Sequence, residues 1–297
     1  MRDQPFPGKN VTFTGPRELR LATNARSRYA SKHDFGSLLI VGGSGVYSGA
    51  PALAGMAALR TGVGLSVVAA PKSVANVIRS YSPNLIVHPL QTDCVTPANL
   101  SMISELLNKA NALVLGPGIG MHEETISAIP LIITKARELQ KPTLVDADGI
   151  RALKDSQSLL KGMVITPHVG EFKAVSGVEA PAKWRDRLEI CKSFARKHAC
   201  ILLLKGHDTV VTDGVRFKVN RTGNPGMAIG GMGDVLSGIV GAYLAQGIDP
   251  FLSAVAGAYV HGLAGDRARK RKGFHMVASD LIETLPEVLK PYDRISD

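Results

Sequence analysis

Residues 223–246 read GNPGMAIGGMGDVLSGIVGAYLAQ, a glycine-rich loop that runs directly into an apolar segment. Five glycines lie between Gly223 and Asp234, and glycine permits positive φ angles and close approach of a ligand to the backbone. Apolar residues at helical spacing follow from Val235. The pattern therefore predicts a glycine loop that opens a buried helix. Unpaired amides at such a helix start favour phosphate oxygens.

Asp234 is the acidic residue at the junction between this loop and the helix. An aspartate at a helix start can simply cap the helix. A carboxylate at an anion site is also where a general base would lie beside a phosphoryl acceptor. The residues alone leave both interpretations open, and the second predicts phosphoryl transfer with Asp234 as the base. The amides around the transferred group would then be those of Gly230, Gly231, Met232 and Gly233.

The composition fits a globular α/β protein. The chain has 297 residues, is 45% hydrophobic, and contains no low-complexity tract or proline-rich linker. Residues 1–30 are polar and weakly periodic, so we expect an N-terminal arm followed by a single domain over residues 31–297. Apolar runs are too short to span a bilayer, and the first residues carry no secretory pattern. We therefore expect a cytoplasmic protein without a membrane partner.

Charge and cysteine content narrow the possible partners. The net charge is +10, but the basic residues are scattered apart from residues 267–272, which we expect to form a solvated helix end. Aromatic residues are 5% of the chain and do not interleave with basic ones, so we expect no nucleic acid partner. A positive field also suits a polyanionic small ligand such as a nucleotide. Cys94, Cys191 and Cys200 lack metal-ligand spacing and are expected to be reduced thiols.

Short apolar runs alternate with helical segments, and this alternation predicts a mainly parallel sheet flanked by helices. Strands are predicted at 38–41, 65–69, 111–115, 143–145, 163–165 and 201–204. Helices are predicted from Gly49, over Thr125–Leu139, from Val235, from Phe251 and over Ala278–Leu289. Residues 210–219 place Asp213-Gly214 between two alternating runs, which predicts a β-hairpin and so adds antiparallel strands.

Polar loops follow the later parallel strands, at the edge where open parallel sheets bind ligands. Asp146 and Asp148 could form a turn, or their carboxylates could bear on a metal or ligand. His168 and Glu171 could mark a turn and a helix start. Glu171 could instead lie near a hydrated Mg²⁺ beside phosphates. Lys205 could close the sheet edge or contact a nucleotide, and no Walker-type sequence is present.

Six segments together carry a resemblance to a known family. They are Tyr47-Ser48-Gly49-Ala50-Pro51, Gly116-Pro117-Gly118-Ile119-Gly120, Asp146-Ala147-Asp148, Thr166-Pro167-His168-Val169-Gly170-Glu171-Phe172, Lys205-Gly206 and Gly230-Gly231-Met232-Gly233-Asp234. In this order they resemble the ADP-dependent NAD(P)H-hydrate dehydratases, which are ribokinase-like proteins. The resemblance spans residues 30–290 and implies a three-layer αβα fold. Each segment alone is a weak signal, whereas the joint pattern is specific.

The resemblance implies a metabolite-repair enzyme that restores NADH or NADPH from the S-epimer of its hydrate. ADP would be the co-substrate, Mg²⁺ the cofactor, and AMP and phosphate the products. Hydrate contacts are implied for Ala50, Gly118, His168 and Asp234. Nucleotide contacts are implied for Lys205, Gly206, His207, Asp208, Thr209 and Gly233. A homo-oligomer, often a tetramer in the family, and a separate epimerase are implied as well.

Other functions stay open from the residues. A ribokinase-like kinase acting on a vitamin precursor or sugar would share the fold, Asp234 and the first chemical step. The segments Tyr47–Pro51 and Thr166–Phe172 favour the dehydratase over such a kinase. A non-catalytic nucleotide sensor would not need a base at Asp234. We also expect Lys205 and Gly206 to serve the nucleotide rather than the hydrate.

Overall fold

A computed structural model describes residues 13–297, so the first part of the predicted N-terminal arm, residues 1–12, lies outside the described residues. The strands are β1 Arg26–Ser27, β2 Ser37–Val41, β3 Leu65–Pro71, β4 Ile86–Leu90, β5 Ala112–Leu115, β6 Thr143–Val145, β7 Val164–Ile165, β8 Ile201–Leu204, β9 Thr209–Thr212, β10 Phe217–Asn220 and β11 Ile295–Ser296. Nine of them form the central sheet in the order β10-β9-β8-β7-β6-β5-β2-β3-β4. The remaining pair, β1 and β11, joins the two ends of the described chain.

The central sheet is parallel from β4 to β8, which confirms the predicted architecture. The carboxyl ends of these strands therefore meet at one edge, where α/β proteins bind ligands. Strands β9 and β10 are antiparallel, and β9 is also antiparallel to β8. Their turn contains Gly214 at φ +93°, and the Asp213 carboxylate accepts the amides of Val215 and Arg216. The predicted hairpin is thus confirmed.

Helices cover both faces of the sheet. They are α1 Pro16–Ala22, α2 Gly49–Thr61, α3 Lys72–Tyr81, α4 Leu100–Lys109, α5 Glu123–Glu138, α6 Asp148–Ala152, α7 Val169–Ser176, α8 Trp184–His198, α9 Met232–Ala245, α10 Pro250–Lys272 and α11 Ala278–Leu289. Successive strand residues point to opposite faces. Leu39 and Val41 of β2 therefore pack with α4, α5 and α8, whereas Leu38 and Ile40 pack with α2, α3 and α9. The three-layer arrangement is confirmed.

A further cluster of buried residues joins α1, α9, α10 and α11 outside the sandwich. Leu19 of α1 is fully buried there, so residues 16–22 of the predicted arm pack on α10. Residues 269–272 of the basic run form the exposed end of α10, where Arg271 pairs with Glu287, whereas Arg267 is half-buried and Ala268 is buried. Within residues 13–297, no helix combines the length and hydropathy needed to cross a membrane.

The structure also contains elements that the sequence patterns did not predict. They are α1, β1, α3, β4, α4, α6, α8 and β11. Strand β4 lies at the sheet edge, with Ile86 exposed and Pro89 in its middle, so it lacks the apolar run of a central strand. Helix α8 buries one narrow stripe that includes Trp184 and Cys191 among charged residues. Helix α9 begins at Met232, three positions before the predicted start, because Gly233, the last glycine of the loop, is already part of its first turn.

Candidate active site

A cavity of about 900 Å³ opens at the carboxyl ends of β6, β7 and β8. The glycine loop, the first turn of α9 and the middle of α10 complete its wall. The predicted site residues that line it are Asp146, His168, Glu171, Lys205, Gly206, His207, Thr209, Gly230, Gly231, Met232, Gly233 and Asp234. Three predicted contact residues, Ala50, Gly118 and Asp208, lie outside this lining. The fold thus gathers most of the predicted residues around one space.

The glycine loop presents the start of α9 to the cavity. Gly231 holds φ +89° as the residue before the helix, and a Cβ there would lie 2.8 Å from Leu53 of α2. The amide of Val235, which binds the Gly231 carbonyl at 3.1 Å, makes the first helical hydrogen bond. The amides of Met232, Gly233 and Asp234 precede it and lack helical acceptors. Such amides and the helix dipole favour phosphate, so this geometry is compatible with an anion site, which stays a prediction.

Helix α10 holds the glycine loop through residues that sequence reasoning missed. The Asp266 carboxylate accepts the Gly223 amide at 3.0 Å and the Asn224 side chain at 3.1 Å. His261 lines the cavity, and its Nε2 lies 2.9 Å from the Met232 carbonyl. Burial lowers the pKa of His261 to about 4, so the imidazole is neutral and its Nε2–H donates to that carbonyl. Asp266 and His261 lie within helix α10, and no local sequence pattern at these positions predicts the two contacts.

A charged cluster lies opposite the glycine loop. Asp146 is 1% exposed; its Oδ1 accepts from Lys205 Nζ at 3.1 Å and its Oδ2 from Ser237 Oγ at 2.6 Å. Lys205 Nζ also lies 3.6 Å from Glu171 Oε2. Burial alone would lower the pKa of Lys205, but the carboxylates of Asp146 and Glu171 outweigh it and raise that pKa. Lys205 is therefore a charged side chain inside the site, held by two acidic partners.

Asp234 occupies the third position of α9 and faces this cluster. Burial raises the pKa of Asp234 to about 7, and the negative charge of Asp146 adds to that shift. Lys205 acts in the opposite direction but does not cancel the shift. Within the described part of the chain, no hydrogen bond joins its side chain to the helix start, so the structure does not favour the cap interpretation. A carboxylate with a pKa near neutrality is suited to accept a proton.

His168 and Glu171 form the helix start that the sequence offered as one interpretation, and the position of Glu171 near Mg²⁺ stays a prediction. His168 Nδ1 accepts the Gly170 amide at 2.9 Å, and Glu171 Oε2 accepts the His168 amide at 2.8 Å, so the pair forms a capping box at the start of α7. Both side chains also line the cavity. Glu171 reaches Lys205 while capping the helix. The helix start therefore fixes a carboxylate beside the charged cluster.

The ends of β2 and β5 form a second part of the same sheet edge. Gly118 has φ +61°, and a Cβ there would lie 2.7 Å from Tyr47 Cβ and 3.0 Å from Ala50 Cβ. Gly42 approaches the Pro117 carbonyl so closely that a Cβ would meet it at 2.3 Å. Ala50 and Gly118, which are both predicted to contact the hydrate, thus lie next to each other. Their implied contact with the hydrate stays a prediction.

The segment after β6 places Asp146 and Asp148, whose roles the sequence left open, in different environments. Asp146 points into the cluster, whereas Asp148 begins α6 and pairs with Arg151 at 3.3 Å. Between them Ala147 adopts φ +52° and ψ −129°, a conformation that normally requires glycine. This strain lies in the cavity wall, since Ala147 lines it. The tight turn directs one of the two carboxylates into the site.

A different group of potential metal ligands lies away from this cavity. Among residues 13–297, Cys94, His122 and Glu124 form the set of three such side chains whose ligand atoms lie within 4.8 Å. Burial raises the pKa of the Cys94 thiol and the nearby Glu124 charge adds to it, which favours the protonated thiol over the metal-binding thiolate. His122 Nδ1 already accepts the Glu124 amide. The predicted absence of a zinc site stays a prediction.

The fold is that of a ribokinase-like α/β protein, and its cavity adjoins a glycine loop at a helix start, which confirms the expected fold. A family model described as NAD(P)H-hydrate dehydratase matches residues 38–287. The chain belongs to this family. The ADP-dependent (S)-NAD(P)H-hydrate dehydratase of Cenarchaeum symbiosum is 37% identical over 284 residues, covering 95% of this chain and 98% of the relative.

Two further similarities extend this finding. The bifunctional NAD(P)H-hydrate repair enzyme Nnr of Pyrobaculum aerophilum is 40% identical over 287 residues, covering 97% of this chain and 57% of that protein. The chain thus spans little more than half the length of the bifunctional relatives that it matches. The crystal structure of the ADP/ATP-dependent NAD(P)H-hydrate dehydratase of Bacillus subtilis, co-crystallised with ATP and Mg²⁺, is 26% identical with a TM-score of 0.80. The similarity covers 96% of this chain and 99% of the Bacillus subtilis chain.

Proposed function

We propose that the protein uses ADP to dehydrate the S-epimer of NADH or NADPH hydrate, restoring NAD(P)H and releasing AMP and phosphate. The observation that carries this proposal is the position of Asp234. A carboxylate with a pKa of about 7 lies in the first turn of α9, where free amides create a phosphate site. The relative from Cenarchaeum symbiosum, which is named for this ADP-dependent activity, supports the same proposal.

The first step is phosphoryl transfer to the hydroxyl of the hydrate. Asp234 accepts the hydroxyl proton as the hydroxyl oxygen bonds to the terminal phosphorus of ADP, and the bond from that phosphorus to the AMP oxygen breaks. The amides from Gly230 to Gly233 stabilise the charge on the transferred group. Lys205, held between Asp146 and Glu171, contributes a fixed positive charge beside Gly233. The poor leaving group hydroxide has then become a phosphate ester.

The second step is elimination of phosphate. The lone pair of the ring nitrogen helps to break the carbon–oxygen bond and phosphate departs. The neighbouring ring carbon then gives its proton to the departing phosphate, which restores the 5,6 double bond. Little further acid catalysis is needed, because phosphate leaves readily. We place the ring beside Ala50, Gly118 and His168, where the sheet edge offers a close-packed glycine surface. This placement puts the hydroxyl towards Asp234.

Mg²⁺ fits the acidic side of the cavity. Carboxylate oxygens are the ligands that Mg²⁺ prefers, and it usually keeps several waters. Glu171 would hold the ion through water, because its carboxylate lines the cavity and is already engaged with Lys205. When bound, Mg²⁺ neutralises charge on the phosphates. Its presence in the related Bacillus subtilis crystals supports this assignment.

Lys205 and Gly206 remain assigned to the nucleotide in this proposal. Lys205 Nζ would lie 3.3 Å from a Cβ on Gly233, so the ammonium adjoins the start of α9, where the terminal phosphate would bind. Substitution Lys205→Ala is expected to raise the apparent ADP requirement more than the hydrate requirement. A larger change in the KM for hydrate would overturn this assignment.

The activity can be tested directly by incubating the protein with S-epimer NADH hydrate, Mg²⁺ and either ADP or ATP. We expect the absorbance of reduced nicotinamide to recover with ADP, together with equal amounts of AMP and phosphate. If the absorbance recovers with neither ADP nor ATP, the proposal is contradicted. Accumulation of a phosphorylated small molecule without recovery would instead favour the kinase alternative, which shares the first step.

Assembly and supply of substrate form the remaining part of the proposal. We infer a cytoplasmic homotetramer that receives the S-epimer from a separate NAD(P)H-hydrate epimerase. Light scattering of the purified protein tests the tetramer. Incubation with an R-epimer hydrate tests the second point, since recovery without added epimerase would contradict it.

A further inference from the structure

Helix α8 carries a buried arginine beneath the nucleotide loop, which we define as residues 205–209. Arg187 is 2% exposed, and one terminal nitrogen of its guanidinium donates to the Asp208 carbonyl. A Cβ on Gly206 would lie 2.8 Å from both terminal nitrogens. The nucleotide loop therefore rests directly on the guanidinium, and glycine at position 206 is required for this approach.

The charge of Arg187 is unusual because its local environment compensates for it only in part: burial lowers its pKa, and the negative charge of Asp208 opposes this effect without cancelling it. Within residues 13–297, its Nε has no hydrogen-bond partner and no carboxylate pairs with it within 4.0 Å. Burial lowers the pKa of Arg187, which shows that the surroundings disfavour the cation. Desolvating a charge is costly, and a neutral donor could also bind one carbonyl. The positive charge therefore requires a reason beyond holding the loop.

The place of the nucleotide loop supplies that reason. Gly206, His207 and Thr209 line the cavity, while Asp208, which accepts from Arg187, does not. The guanidinium thus lies directly behind a stretch of cavity wall that is one residue thick at Gly206. A cation at this depth acts on an anionic ligand through a medium of lower dielectric constant than water.

We propose that Arg187 is a positioning residue for ADP, which fixes the nucleotide loop and adds a positive potential behind it. The inference rests on the proposed function, because it takes the occupant of this part of the cavity to be a nucleoside diphosphate. Arg187 does not touch the ligand. It acts through the backbone of Gly206 and Asp208.

The chain offers a matched control on the same helix. Arg196 of α8 also donates from its guanidinium to a loop carbonyl, that of Gly214, at 2.9 Å. Gly214 lies in the β9–β10 turn and does not line the cavity. Arg196→Gln removes the same kind of bond without reaching the nucleotide loop. It therefore separates a local effect on ADP from a general effect on α8.

The test compares Arg187→Gln, Arg187→Lys and Arg196→Gln with the wild type. We expect Arg187→Gln to raise the Kd for ADP in calorimetry, and the KM for ADP, by about ten- to a hundred-fold, the range for one hydrogen bond to a charged group. The KM for hydrate should change less than about two-fold, since only the nucleotide loop is affected. Arg187→Lys keeps the charge and should recover part of the ADP affinity. Arg196→Gln should leave the Kd for ADP unchanged.

Adenosine separates the two contributions of Arg187. It lacks phosphates, so the positive potential should affect its binding less, and the Kd for adenosine should rise less than that for ADP. Circular dichroism checks that each variant is folded, and Arg187→Lys carries the test if Arg187→Gln does not fold. A wild-type Kd for ADP in folded Arg187→Gln and Arg187→Lys, or an equal rise in the KM for hydrate, would overturn the inference alone. Wild-type protein that fails to bind ADP would overturn both the inference and the proposed function.

Discussion

The carboxyl edge of the central sheet has two halves that differ in chemistry. The charged half follows β6, β7 and β8 and contains Asp146, Glu171 and Lys205, with Asp234 facing them. The glycine half follows β2 and β5 and contains Gly42 and Gly118, which approach neighbouring atoms too closely for a side chain. One half is organised by electrostatic pairing and the other by the absence of side chains. In the proposed function, the charged half would perform the proton and phosphoryl chemistry, and the glycine half would supply the shape of the hydrate site.

The two halves also respond to change in different ways. Buried charges interact strongly, so removing one partner leaves an uncompensated charge and alters the protonation of its neighbours. A close-packed glycine responds to added volume instead, because the structure must shift to admit it. Variants of the charged half should therefore change rate and pH dependence, whereas those of the glycine half should change binding of the hydrate.

The largest effect is expected for Asp234→Asn in the charged half. If Asp234 is the base, turnover should fall by about a hundred- to ten-thousand-fold, the usual contribution of general-base catalysis. ADP should still protect the variant against thermal unfolding, because the amides of the α9 start remain. Turnover and the ADP-induced thermal shift are measured on one preparation. Asparagine caps a helix about as well as aspartate, so near-normal turnover would support the cap interpretation and exclude the base role.

The pH dependence should be the next largest effect. Asp234 must be ionised to accept a proton, and its pKa is raised to about 7, so kcat/KM should fall about ten-fold for each unit below that pH. The stability should have the opposite pH dependence. The Asp234 carboxylate binds a proton more tightly in the folded state than in the unfolded chain, so the free energy of unfolding decreases as the pH rises from about 4 to 7. Thermal unfolding across this range tests the slope. The Asp234→Asn protein should lack this contribution, and an unchanged slope would contradict the shift.

The glycine half is tested by Gly118→Ala. A Cβ at this position would meet Tyr47 at 2.7 Å and Ala50 at 3.0 Å, and the positive φ adds strain. We expect the KM for hydrate to rise about ten-fold, equivalent to about 1.4 kcal/mol, with the Kd for ADP unchanged. Gly45→Ala in the adjacent turn is the control, because a Cβ there has no neighbour within 4 Å. A rise in the Kd for ADP, or an equal effect of the control, would remove the division between the halves.

The smallest effect is expected for Ala147→Gly, at the strained turn of the charged half. Relief of the strained conformation is worth about 1–3 kcal/mol and the added freedom of glycine costs about 0.5–1 kcal/mol, so a net gain of about 1 kcal/mol in unfolding free energy is expected. Denaturant unfolding measures it. Ala199→Gly provides the comparison, because Ala199 has a left-handed conformation outside the site and should gain less. A loss of stability in Ala147→Gly would show that the turn is not strained.

Local sequence patterns predicted much of the fold for physical reasons that act over a few residues. The apolar run 38–41 forms β2 because its alternate side chains meet helices on both faces. Asp213-Gly214 marks the hairpin because aspartate bonds the turn amides and glycine accepts positive φ. Strand β4 and helix α8 were not predicted, because their burial depends on packing against distant elements rather than on a long apolar pattern. The order of the strands in the sheet also lay beyond such patterns.

The sequence by itself determined the glycine loop, the helix after it, and the acidic and basic residues at the strand ends. Only the tertiary structure decided their partners. Lys205 contacts Asp146 across 59 positions, because parallel strands bring their carboxyl ends to one edge. Ser237 contacts Asp146 across 91 positions, because helix α9 packs against β6. The same structure placed Arg187 beneath Gly206. Hydrophobic periodicity reports which face of an element is buried, but partner choice depends on topology, and the pKa of Asp234 depends on those partners.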